Sequence, residues 1–141
     1  MSMSGESSTE SWDFGAMFGI SQIDFDQHFF GRILAVHSDN VDVLLCQSDI
    51  LITKGEYLEA NRLLAKLTWL CPGHAIVFYN FACTSSVIGK ISDALAAFEQ
   101  AISLGYDDWA RIEADSDLDN LRLLPEFEAL IAAHSGESHS I

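Results

Sequence analysis

Apolar positions recur at helical spacing through most of the chain. Tyr57, Ala60, Leu64, Leu67 and Leu70 fall three or four residues apart, and Ile91, Ala94, Leu95, Phe98, Ala101 and Ile102 repeat the pattern. That period puts each set on one face of a helix. Two further apolar stretches, Val41 to Thr53 and Ala75 to Ile88, precede them across Gly55 and Gly89. The pattern predicts two units of helix, glycine-centred turn and helix, over 41–74 and 75–108. Glycine suits the turn because it enters the left-handed backbone region without a steric penalty. Pro72 predicts the end of the second helix, since it lacks an amide proton and clashes with the preceding turn.

The two units align without a gap at a shift of 34 residues. Gly55 pairs with Gly89, Glu59 with Asp93, Ala60 with Ala94, Leu44 with Phe78, Ser48 with Ala82, Leu64 with Phe98, Leu67 with Ala101, and Leu70 with Leu104. Small residues at 48/82 and 60/94 let two helix backbones approach, and Leu64 or Phe98 fills the groove beside them. In length and in this pattern the unit resembles the tetratricopeptide repeat. The first copy follows that pattern through Gly55, Tyr57, Ala60, Leu64 and Pro72, and the second through Ala82, Gly89, Ala94, Phe98 and Ala101. Leu67, Ser85 and Tyr106 depart from it, standing where the family prefers Ala, Tyr and Pro. The resemblance implies an all-α fold, a right-handed solenoid of antiparallel helix pairs.

About three such units are usually needed to bury a continuous core, and the flanks supply more helix. Phe30, Ile33, Val36 and Ser38 align with Leu64, Leu67, Leu70 and Pro72, so 24–40 reads as a degenerate half-repeat with Asp24 as its N-terminal cap. Residues 109–134 resemble the segment that closes many bacterial arrays of this family. There Pro125 opens the last helix, and Phe127, Leu130 and Ile131 are placed to cover the end of the stack. The TPR-like domain is thus expected over 24–134. Residues 1–23 read as a separate N-terminal segment, mostly Ser, Gly, Glu and Thr to 11 and there expected to be disordered, then aromatic over Trp12–Ile20. This aromatic stretch suits either folding back onto the first helix or groove, or docking to another protein. Residues 135–141 read as a flexible tail.

Charge narrows the function. The chain has 141 residues, 7 Lys and Arg against 21 Asp and Glu, and a formal net charge of -14. The bases are scattered, so the chain is expected to bind no nucleic acid, whose phosphates it repels. No apolar run approaches a membrane span. The first basic residue is Arg32, which predicts no secretory leader. Cys46, Cys71 and Cys83 match no metal-ligand spacing, and read as reduced, buried, small hydrophobes in a cytoplasmic protein. His28, His37, His74, His134 and His139 are equally dispersed. Without a nucleophile–base pairing, a glycine-rich phosphate loop or a cofactor motif, the chain reads as non-enzymatic and cofactor-free.

One chemical motif stands apart. Asp115, Asp117, Asp119 and Glu126 occupy the first, third, fifth and twelfth places of a calcium loop of the EF-hand type. Asn120 at the sixth place, Arg122 at the eighth and Pro125 before Glu126 argue against it, and a solvated, helix-capping turn accounts for the same acids. The family resemblance instead implies binding. It turns Asp42, Leu45, Asp49, Ile76, Tyr79, Asn80 and Cys83 toward a concave groove. Leu45 and Asp49 stand where one branch of the family grips carboxylates with basic and amide side chains, and Asn80 alone agrees with that clamp. The expected partner is a protein or peptide segment with apolar anchors and some basic side chains, bound by a monomer or weak homodimer. A chaperone of a secreted or partner protein and a calcium-responsive module are the alternatives.

Overall fold

The computed structural model describes residues 21–36 and 39–139. Trp12–Ile20, the remainder of the first twenty residues, His37, Ser38 and the last two tail residues lie outside that range. The described chain is all-helical, with no strand: α1 (Gln22–Val36), α2 (Val41–Thr53), α3 (Tyr57–Leu70), α4 (Ala75–Val87), α5 (Ile91–Ser103), α6 (Trp109–Ala114), a 3-10 turn (Ser116–Leu118), α7 (Asp119–Arg122) and α8 (Pro125–His139). The last helix runs on beyond Ser135, where composition predicts a flexible tail.

The boundaries follow from local chemistry. Gly55 and Gly89 take φ of 78° and 86°. At each, the residue after glycine donates its amide to a carbonyl five residues back, Glu56 to Leu51 and Lys90 to Ser85, both at 2.8 Å. This bond satisfies one of the carbonyls orphaned at a helix end. A methyl group at Gly89 would meet nothing within 4 Å, so Gly89→Ala is penalised through the backbone alone. It should lower stability by about 1 kcal/mol, seen as a lower urea midpoint with an unchanged slope. Helix α3 ends just before Pro72, with Cys71 as its C-cap. Asn40 caps α2 by accepting the Val43 amide at 3.1 Å, and His74 Nδ1 accepts the Val77 amide at 3.4 Å. Asp24 is not the cap of α1. Its own amide donates to Ser21 Oγ at 3.2 Å, and its carboxylate pairs with Lys54. Lys54 also donates to Gln27 at 2.6 Å, tying α1 to the turn between α2 and α3.

Short connections make consecutive helices double back on one another. Contacts agree: Leu44, early in α2, packs with Leu64 and Leu67, late in α3. Asn61, early in α3, donates to Thr84 Oγ1 at 3.0 Å and Ser85 Oγ at 2.9 Å, late in α4. The small residues Ser48, Ala60, Ala82 and Ala94 are all fully buried, as are Leu64, Leu67, Phe98 and Ala101. Toward the C-terminus a larger core gathers Tyr79, Phe98, Ile112, Leu118, Leu121 and Phe127, with Leu130 and Ile131 packed against it. Phe127 meets Phe98 at 4.6 Å between ring centroids. Arg122 fastens this end by donating to the carbonyls of Ile112 and Asp115 at 2.7 and 2.8 Å. No described helix is long and apolar enough to cross a membrane.

Candidate functional site

The side chains that the resemblance turns toward a groove lie in two rows, one on α2 and one on α4. On α2 the row is Asp42, Leu45 and Asp49, at spacings of three and four that share a helix face. On α4 it is Ile76, Tyr79, Asn80 and Cys83, by the same spacing. Arg111 of α6 links them. Its guanidinium lies 4.8 Å from the Tyr79 ring centroid. Partial desolvation on its inner side raises the Asp49 carboxyl above its ordinary range, although the residue is exposed, and the Arg111 charge opposes that rise.

The structure divides the expected groove residues into two groups. Asp42 and Asp49 are exposed and Leu45 is half-buried, while Ile76 is 50% exposed. Tyr79, Asn80 and Cys83 are buried, so these three are not open groove surface. The reason is the segment after residue 106. Tyr106 stacks on Tyr79 at 4.2 Å and 10°, and Arg111 and Asp115 close over the rest. The absence of any charged residue in α4 is the signal for this, because a helix without a polar face is a buried helix.

Asp115 organises what lies beneath. Its Oδ2 accepts the Tyr79 hydroxyl at 2.7 Å, lies 3.6 Å from Cys83 Sγ, and faces Arg111 Nε at 3.6 Å. Its Oδ1 accepts the Asp117 amide at 3.1 Å. Asp117 in turn accepts the Tyr57 hydroxyl at 3.2 Å. Burial pushes the Tyr79 hydroxyl and the Cys83 thiol well above their ordinary ranges, with the Asp115 charge adding to the effect on both. Burial also raises Asp117, helped by its neighbour Asp115 and opposed by the Tyr57 hydrogen bond. A thiol held protonated is a poor nucleophile, so Cys83 serves as packing. Cys46 departs from the expectation of burial and is exposed, while Cys71 is intermediate.

Three of the four carboxylates of the calcium-loop pattern have partners elsewhere. Asp115 and Asp117 accept the tyrosine hydroxyls, Asp119 pairs with Arg122 Nε at 3.2 Å, and Glu126 is exposed in the first turn of α8. No group of three or more His, Cys, Asp or Glu side chains among the described residues is arranged to hold a metal ion. Asp115, Asp117 and Asp119 cap and fasten the C-terminal segment.

Apolar side chains also stand exposed outside the two rows. Trp69 is 86% and Leu123 80% exposed, at the ends of α3 and α7.

No family model matches the chain, and no solved structure does. Among curated proteins it is similar to a chloroplastic protein of Arabidopsis thaliana, with 37% identity over 57 residues. The matched segment is 40% of this chain and 17% of that protein, so the likeness is between a part of each.

Proposed function

We propose that the chain is a tetratricopeptide-type module, a right-handed solenoid of antiparallel helix pairs, that holds a peptide or protein segment against α2 and α4 without catalysis. The observation that carries the fold reading is the agreement between positions 34 residues apart. Gly55 and Gly89 share a positive φ and the same closing bond, and the paired residues 48/82, 60/94, 64/98 and 67/101 are all fully buried. The binding reading is supported by two accessible apolar groups, Leu45 on α2 between the acids Asp42 and Asp49, and Ile76 on α4. A mixed acidic and apolar face of this kind suits a segment with apolar anchors and basic side chains. Fold analogy alone names no particular partner. Three free cysteines fit a reducing compartment, which is how the cytoplasmic assignment is proposed here.

The test is capture from native lysate by wild type, by a Leu45→Ala/Ile76→Ala double variant and by Trp69→Ser. Tyr79 is left intact because its removal would empty the core. The double variant should lose proteins that wild type and Trp69→Ser retain. Equal recovery by all three baits would refute this surface.

A further inference from the structure

The two arginines of the C-terminal segment are held very differently. Arg122 donates two close hydrogen bonds to backbone carbonyls and acts as a rivet. Arg111 makes a long ion pair of 3.6 Å to Asp115, with its side chain 50% exposed, and rests on the face of Tyr79. Its surroundings are the parts of a receptor for a cationic side chain. An aromatic face lies below it, backed by Tyr106, with the Asp115 carboxylate at 3.6 Å, and its charge is felt by Asp49 on α2. A cation over an electron-rich ring beside a carboxylate gains from both. Tyr79 lies one turn of α4 from the accessible Ile76, and Asp49 one turn of α2 from Leu45.

We infer that Arg111 is an internal stand-in for the ligand: the α2–α4 face takes a peptide in which an arginine flanked by apolar residues displaces Arg111 from Tyr79 and Asp115, within the field of Asp49. This rests on the reading of that face as a peptide-binding surface. Charge complementarity selects the occupant. Helix α4 carries no charge of its own, the α2 row contributes Asp42 and Asp49, and the whole chain carries -14. The competing ion pair in the free chain is long, at 3.6 Å, and half-exposed on the Arg111 side, so its geometry is not the close one of a strong pair.

The probe is a fluorescein-labelled amphipathic peptide of arginine and leucine, with a copy in which glutamine replaces every arginine. Anisotropy is read for wild type, Arg111→Ala and Asp49→Asn, each checked for fold by circular dichroism. Removing the competitor should tighten binding of the arginine peptide about fivefold, leaving the glutamine peptide unchanged. Asp49→Asn should weaken the arginine peptide by a similar factor. The inference is overturned if Arg111→Ala binds the arginine peptide no better than wild type does. It is equally overturned if the variant gains as much on the glutamine peptide, or if no protein binds either peptide. Should Arg111→Ala fail to fold, Asp49→Asn decides, and an unchanged affinity overturns the proposal. Adding Leu45→Ala/Ile76→Ala separates the two levels. Binding that needs those residues but ignores Arg111 leaves the groove reading standing and removes only this one. Binding indifferent to Leu45 and Ile76 removes the groove reading itself.

Discussion

Phe98→Ala should cost about 3–5 kcal/mol of unfolding free energy, a large share of the roughly 5–15 kcal/mol typical of a domain. Phe98 has no solvent exposure. It shares a core with Ala82, Ala94, Leu118, Leu121 and Phe127. Alanines on the neighbouring helices have no long side chains to swing into the space, so the cavity would stay open and its lining would lose contacts outright. Because Phe98 touches Phe127, the effect also reaches the segment closing this end of the molecule. Phe127→Ala combined with Phe98→Ala should therefore cost less than the sum of the two, since the second change removes a partner already lost. Urea unfolding of the single and double variants measures both quantities. A loss below about 1 kcal/mol for Phe98→Ala would mean that the side chain is not the plug described here.

The second large effect belongs to Tyr79. Tyr79→Ala should cost about 3–5 kcal/mol through the lost ring, and Tyr79→Phe about 1–3 kcal/mol through the lost hydroxyl donor to Asp115. The conservative change carries a pH signature that cavity formation does not. In the unfolded chain the tyrosine hydroxyl ionises near 10.0, while in the fold burial and Asp115 hold it protonated well beyond that. The folded state thus binds more protons at high pH, and stability falls as pH rises past the unfolded value. Cys83 acts in the same direction from its unfolded value of 9.0, and Tyr57 and Tyr106 are also raised. The raised carboxyls Asp49 and Asp117 titrate in the acid range. Their contribution to stability improves as pH falls toward their folded pKa values, so it does not mask the alkaline loss. Thermal melts should therefore show the melting temperature dropping above about pH 9–10, with a shallower drop in Tyr79→Phe. Parallel pH profiles for wild type and Tyr79→Phe would exclude the Tyr79 hydroxyl as a source of the loss.

The chemistry of turns and of helix faces reads directly from sequence. Gly55, Gly89 and Pro72 act over one or two residues of backbone, so a local reading placed the ends of α2, α3 and α4. Alternation at three and four residues does the same for Leu64, Leu67 and Phe98, whose burial follows from the face they share. What one strip of sequence does not encode is which remote element covers a face. Tyr79, Asn80 and Cys83 share one face of α4 by spacing, a face that the resemblance turns toward a groove, yet Tyr106 stacks on Tyr79, and Asp115 bonds it from 36 positions away. The uncharged run of α4 carried that warning. Asp24 failed as a cap for a related reason, because Lys54, brought alongside by the fold, engages its carboxylate. Cys46 is exposed on α2 because no described helix covers it, something its residue type does not reveal. The acids from 115 to 126 share the spacing of a metal loop, which says nothing of the partners that the fold brings to them. Folding sends them to Tyr79, Tyr57, Arg122 and solvent.

Amide chemical-shift mapping with the arginine–leucine peptide tests the central claim most directly, because it reports where a ligand sits regardless of affinity. The largest changes should fall on Leu45, Asp49, Ile76 and Arg111, spanning α2, α4 and α6. Changes concentrated instead around Trp69 and Leu123, with those four residues unmoved, would contradict the account.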